Sequence, residues 1–367
     1  MAQREIHTVW GARFAARGLL ANDLLNLSAQ PAAIWDQLRY SPSAALGSSR
    51  QKLSGDDYHR ALETLMAHEI RYVTYIGGND SADTALGLER AARDRGYDLA
   101  VMAVPKTVDN DLPMTDHCPG YGSAARFLAQ STQDVGLDTE AMRLSDPIKL
   151  IEVAGRDAGW LAAATTLGKE DDRAAPHVVW PPELHVQVDH FIAAVERVYA
   201  RLGYAVAVVA ETVRDATGSP VGRANSVMQA DAFGHATLAG TASFLAEQVG
   251  KALGVKARYE KPGTLQRMCL AQASPVDLQE AYDVGVEAVR MVLRGQTGRM
   301  VGLRREPGEV YRCVLEPVDL TLIANQHRTL PEAFLAGDTF TIAPAFRDYA
   351  LPLIGPPLLR YGRLPLS

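Results

Sequence analysis

Cysteine is scarce, with three residues, Cys118, Cys269 and Cys313, in a chain of 367. The number is odd and no pair has Cys-x-x-Cys spacing, which excludes a disulfide scaffold and a structural zinc knuckle and fits a cytosolic compartment. Long apolar runs are missing as well. No stretch approaches the roughly 18 uninterrupted apolar residues of a membrane helix. The opening Met1-Ala2-Gln3-Arg4-Glu5 leads into a segment broken by Arg13, Arg17 and Asn22, unlike a secretory signal. Positive charge is not in excess, since 37 Lys and Arg stand against 43 Asp and Glu, for a net charge of −6. A membrane or a nucleic acid is therefore not an expected partner. There is no Gly-x-Ser-x-Gly elbow, no His-Glu-x-x-His and no Walker lysine loop. Gly77-Gly78 lacks the Gly-x-Gly-x-x-Gly spacing of a nicotinamide dehydrogenase.

What is present is a core-forming chain, 47% apolar and 22% charged, long enough for two compact units. Helical and strand periods alternate. Ala61, Leu62, Leu65, Met66 and Ile70 share one helical face. A strand is expected at Tyr72–Ile76, a helix over Ala82–Arg95 stopped by Gly96, and a strand at Leu99–Val104. The pattern returns with strands at Lys149–Val153 and Ala205–Ala210 and helices at Ala158–Leu167 and Phe191–Leu202. Such continuous apolar strands suit a sheet covered on both faces, so the expected class is α/β, doubly wound. In that architecture ligands bind beyond the carboxyl ends of strands.

Three strand ends carry the chemistry. The first reads Gly77-Gly78-Asn79-Asp80-Ser81, where glycine permits close approach and a helix N-terminus favours an anion. A plain structural turn fits the same residues. The second is Lys106-Thr107-Val108-Asp109-Asn110-Asp111, which crowds a cation, a hydroxyl and two carboxylates between prolines. One carboxylate could take a proton and the lysine neutralise a phosphoryl group, although an Asx-turn with solvated charges is the alternative. The third is Ala154-Gly155-Arg156-Asp157, an arginine fork beside a flexible glycine, or a helix cap with a surface ion pair. Glu183 follows an apolar strand and is either a hydroxyl acceptor or merely exposed, and Arg258 and Arg267 flank Gly263-Thr264 in a turn suited to an anion. His185 and His190 have no metal-pair spacing.

Taken in order, these segments resemble the phosphofructokinase family, and more closely its pyrophosphate-dependent branch. The likeness runs through Gly47-Ser48-Ser49-Arg50, the three strand ends, Pro182-Glu183, Gly263 to Arg267 and on into Phe346–Leu364, nearly the whole chain. It implies two Rossmann-like α/β domains with the active site in the cleft between them. The phosphoryl-donor domain would span 1–119 with about 266–320, and the fructose 6-phosphate domain 120–265 with about 321–367.

The implied reaction moves a phosphoryl group from pyrophosphate to the 1-hydroxyl of fructose 6-phosphate, reversibly and with Mg2+. Asp109 matches the general base, and Lys106 and Arg156 match groups that stabilise the transferring phosphoryl. Thr107, Val108, Ala154, Gly155, Glu183, Arg258, Thr264 and Arg267 match substrate contacts, Arg258 reaching a neighbouring subunit of a homodimer or homotetramer. Arg50, Gly78, Asp80, Ser81 and Lys106 fall on the donor side, and Asn79 and Asp111 on the metal. In the ATP-using branch, positions 80 and 106 are glycine. Asp80 therefore repels a nucleotide, and Lys106 serves the pyrophosphate leaving group. Asn79 replaces a common aspartate, and Thr264 a usual histidine or tyrosine. Family members open with a strand and a glycine-rich loop, and Glu5–Gly11 resembles the segment directly downstream of that loop, so the expectation is a chain that lacks both. The competing expectations are an ATP-dependent enzyme and a non-catalytic sugar-phosphate-binding subunit.

Overall fold

The computed structural model describes residues 6–222, 229–230, 236–237, 240–337 and 339–364. The opening residues 1–5 lie outside them. In chain order the elements begin with β1 (Trp10–Ala12), α1 (Ala16–Leu20), β2 (Leu24–Asn26), α2 (Ala32–Arg39) and α3 (Asp57–Ala67). They continue with β3 (Tyr72–Gly77), α4 (Asn79–Asp94), β4 (Ala100–Pro105), α5 (Tyr121–Ala141), β5 (Ile148–Val153) and α6 (Trp160–Ala164). Next come β6 (Val178–Trp180), α7 (Val188–Leu202), β7 (Ala205–Ala210), β8 (Gln229–Ala230), β9 (Ala236–Thr237) and α8 (Thr241–Leu253). The last are β10 (Ala257–Glu260), α9 (Pro275–Leu293), β11 (Arg299–Arg305), β12 (Cys313–Asp319) and α10 (Pro344–Ala350). Among the described residues no helix is long and apolar enough to cross a membrane.

The chain forms two compact units, one of Met1–Gly120, Gln229–Thr237 and Leu278–Arg328, the other of Tyr121–Met228, Leu238–Asp277 and Thr329–Ser367. In the first unit the sheet order is β12-β11-β4-β3, with β3, β4 and β11 parallel and β12 antiparallel at the edge. The period-2 alternation of β4 places Val101 and Ala103 in one core cluster with Leu62 and Leu65 of α3 and Leu88 of α4. It sends Met102 and Val104 to the opposite cluster, with Val284, Ala288 and Met291 of α9. Both faces of β4 are therefore dry, and solvent is met again directly after its carboxyl end, at Lys106.

The second unit has a four-stranded parallel sheet in the order β10-β5-β7-β6. From β5 the chain passes over β7 to β6, returns to β7, and then crosses β5 to reach β10 at the other edge. Connections from the neighbours β5 and β7 thus lead in opposite directions, which opens a crevice at their carboxyl ends. One face of this sheet packs on α7 and α8 through Phe191, Val195, Leu245 and Val249. Along α5, Tyr121, Ala125, Leu128 and Thr132 recur at three- and four-residue spacing and are buried on one face.

Candidate active site

In the first unit, β3 and β4 end side by side, with Gly77 opposite Pro105 and the Lys106 N–H donating to Gly77 O at 3.0 Å. Gly77 has no alternative, because a Cβ there would lie 2.0 Å from Ser81 Oγ. Gly78 caps α4 in extended geometry, and Asn79, Asp80 and Ser81 form the first turn of that helix. An added Cβ on Gly78 would lie 3.8 Å from Thr107 Cβ, so the expected donor turn and the dense loop are neighbours. Asp80 sits 3.8 Å from the Lys52 ammonium, which bonds Asp83 at 3.0 Å. That hydrogen bond to Asp83 raises the Lys52 pKa. Lys52 is a cation that sequence reasoning missed, and nothing in its local spacing marks it. Arg50 lies exposed in the irregular segment ahead of α3.

The dense loop is folded back on itself. Thr107 bridges Gly120, and its Oγ1 accepts the Asp109 N–H at 3.1 Å, which sets the direction of the Asp109 backbone. Asn110 takes φ 56°, a left-handed conformation that asparagine tolerates, and its buried Oδ1 accepts the Cys118 N–H at 3.0 Å. The amide is thus a brace, while Lys106, Val108 and Asp109 keep solvent access. Asn79 Nδ2 lies 3.4 Å from Asp111 Oδ2 and 3.1 Å from His327 Nδ1. Asn79 Oδ1 is buried with no hydrogen-bond partner. An orphaned oxygen beside a carboxylate is a donor set that a hard divalent cation such as Mg2+ accepts.

In the second unit, β5 delivers Ala154, Gly155 and Arg156 to the crevice. Gly155 has φ 116°, and a Cβ there would meet Ala158 O at 2.5 Å, so the turn requires glycine. Thr264 and Arg267 are exposed on the short helical turn Gly263–Arg267. Buried Gln266 ties that turn to β5, its Oε1 accepting the Ala154 N–H at 3.2 Å. The structure therefore brings Ala154, Gly155, Thr264 and Arg267 together. Glu211, at the end of β7, completes the group and was missed by sequence reasoning. Burial raises its pKa, countered by the charges of Arg156 and Lys261 and by the Gly155 N–H. Its signal was available, since it directly follows the apolar run Ala205–Ala210.

Two expected substrate contacts have other partners. Glu183 Oε1 accepts the N–H groups of Gly159 at 2.9 Å and Leu330 at 2.7 Å. Burial raises its pKa against those two donors, and through Oε1 its carboxyl group braces the turn that follows Arg156, while Oε2 is buried with no hydrogen-bond partner. Arg258, on the edge strand β10, gives its Nε to Asp146 Oδ1 at 2.9 Å, beside Lys256 at 2.7 Å. The Asp146 carboxyl is held down at about 2 by its hydrogen bonds to Arg258 and Lys256. Within a single chain this is a surface ion pair on the edge strand.

Comparison with known proteins places the chain in a family. The sequence model of the phosphofructokinase family matches residues 1–292. The chain belongs to the phosphofructokinase family. A pyrophosphate–fructose 6-phosphate 1-phosphotransferase of Xanthomonas campestris pv. campestris (strain B100) is 40% identical over 361 residues, 96% of this chain and 86% of that protein. A sulfofructose kinase of Alkalicoccus urumqiensis is 32% identical over 319 residues, 87% of this chain and 82% of that one. The crystal structure of pyrophosphate-dependent phosphofructokinase from Nitrosospira multiformis superposes with a TM-score of 0.87 at 34% identity, covering 97% of this chain and 86% of the other. The doubly wound α/β class is the phosphofructokinase fold.

Proposed function

We propose that this phosphofructokinase transfers a phosphoryl group from pyrophosphate to the 1-hydroxyl of fructose 6-phosphate, giving fructose 1,6-bisphosphate and phosphate, and runs in both directions. The observation that carries the reading is the pairing of two strand ends, with Asp80 in the first helical turn after β3 and Lys106 to Asp109 directly after β4. Phosphoryl transfer asks a protein for positioning and charge neutralisation more than for covalent chemistry. Asp109 takes the proton from the 1-hydroxyl as that oxygen attacks phosphorus and the bridging P–O bond of pyrophosphate breaks. A general base of this kind contributes roughly 10²–10⁴-fold. Lys106 and Arg156 offset the charge on the transferring group and on the departing phosphate. Asp111 and Asn79 would hold Mg2+, which neutralises phosphate oxygens when bound. Arg156, Glu211 and Arg267 grip the sugar phosphate, and Asp80 opposes the larger, more charged nucleotide.

The functional unit of this reading is a cytosolic homo-oligomer, in which Arg258 exchanges Asp146 for a neighbouring subunit's substrate. The test is an aldolase-coupled assay with fructose 6-phosphate and Mg2+, in which pyrophosphate and ATP are supplied in turn. Turnover is expected with pyrophosphate and is lost in Asp109→Ala. Faster turnover with ATP would defeat the donor assignment. Because a 32% identical relative is a sulfofructose kinase, the sulfonate analogue of the acceptor belongs in the same assay. Preference for it would move the acceptor assignment without touching the donor.

A further inference from the structure

The candidate base stands on a loop, and a loop keeps its shape only where its backbone groups are paired. Between Asp109 and His117 two non-glycine residues, Asn110 at φ 56° and Met114 at φ 60°, adopt left-handed conformations. Such residues persist only when their surroundings over-determine them. Here the carbonyls of Asn110, Thr115 and Asp116 converge on the side chain of Arg328. Its Nε and Nη2 donate to Asn110 O at 3.2 and 2.8 Å. Its Nη1 donates to Thr115 O at 2.7 Å and to Asp116 O at 2.6 Å. The backbone N–H of Arg328 donates to Asp111 O at 2.7 Å. The preceding residue, His327, faces the Asp111 carboxylate at 3.4 Å.

We propose that Arg328 is a positioning residue for phosphoryl transfer, its guanidinium fixing the loop that carries Asp109 and Asp111. This rests on the function proposed above. Arg328 spends its donors on main-chain carbonyls and acts on the reaction through the loop. A planar fork with donors on several edges can serve three carbonyls at once, whereas a lysine ammonium is a point charge on a flexible stem. The sequence offers no cue, because Arg328 lies more than 200 residues from the loop it holds and in no motif. Without the fork, Asn110 and Met114 relax from their left-handed conformations and carry Asp109 and Asp111 with them.

The experiment uses the full chain with Arg328→Ala and Arg328→Lys. Misplacement by about 1 Å costs on the order of 10²-fold in rate, so kcat should fall by about that factor in Arg328→Ala. The KM for the sugar phosphate should change little, since Arg156, Glu211 and Arg267 belong to the second unit. Millimolar guanidinium chloride should restore part of the kcat of Arg328→Ala, a response that a merely destabilised protein would not give to a chaotrope. Arg328→Lys should melt near the wild type yet remain slow, and it carries the test if the alanine variant does not fold. Wild-type kcat in folded Arg328→Ala, or an unimpaired Arg328→Lys, would overturn the proposal. So would a slow variant that guanidinium leaves slow. A wild type that transfers no phosphoryl group from pyrophosphate would overturn the functional reading and this one together, whereas an active wild type with unimpaired variants overturns this one alone.

Discussion

Replacing His117 by leucine removes a cation held between two carboxylates. His117 Nδ1 lies 2.9 Å from Asp116 Oδ2 and Nε2 lies 2.6 Å from Glu280 Oε2, with the residue 1% exposed. A neutral imidazole has a single N–H, so bonding both carboxylates requires the imidazolium. Burial pulls the histidine pKa down, but the hydrogen bonds and charges of Asp116 and Glu280 outweigh it and hold the ring above its ordinary value. Arg305 Nη2, 2.9 Å from Asp116 Oδ2, closes a set of two cations and two anions. Because the folded pKa is raised, this stabilisation is fully present below the unfolded value of about 6.5 and is lost as pH rises through the folded value. One proton corresponds to at most about 1.4 kcal/mol per pH unit. For a unit of this size that is roughly 3–6 °C in Tm per pH unit. At pH 6, His117→Leu should cost about 3–5 kcal/mol, the usual penalty for stranding buried partners. Calorimetry between pH 6 and 9 should therefore show the wild type losing Tm with rising pH while the variant stays flat. Parallel profiles would refute the charged-histidine argument.

Asp80→Gly should raise kcat/KM for ATP relative to pyrophosphate by roughly tenfold or more, equivalent to about 1.4 kcal/mol per decade. An unchanged donor ratio in competition assays would count against Asp80 as the discriminator. Asp109→Asn should lower kcat by about 10²–10⁴-fold while leaving pyrophosphate affinity, read by calorimetry, near the wild-type value. Glu211→Gln should raise the KM for fructose 6-phosphate more than it lowers kcat, and the reverse split would place Glu211 among the groups that act in the transition state.

The strands and the three chemistry-bearing turns were readable because local pattern reports local environment. The apolar run Ala205–Ala210 is a strand with those same bounds, and Gly203 ends α7 in the left-handed conformation. The longest helix among the described residues, α5, was not among the elements expected from the sequence. Its buried face is largely small or polar, with Gly122, Ala124, Ala125, Ala129, Gln130 and Thr132 among its residues, so hydrophobicity alone does not mark it. In the candidate site, position relative to a strand end was legible, and partnership was not. Glu183 and Glu211 look alike in sequence, each following an apolar strand. Only the fold shows that Glu183 serves the amides of Gly159 and Leu330 while Glu211 sits beside Gly155. Arg328 and Gln266 were invisible for the same reason, since their partners are distant in the chain.

The orphaned oxygen of Asn79 bears on how much charge this turn has to carry. An aspartate at 79 would set a third negative group next to Asp80 and within reach of Asp111, and their mutual repulsion would raise the cost of keeping all three ionised. The amide offers an oxygen of the same shape without the charge. An amide at 79 therefore lets one short turn present two oxygen-bearing side chains at the charge of a single carboxylate.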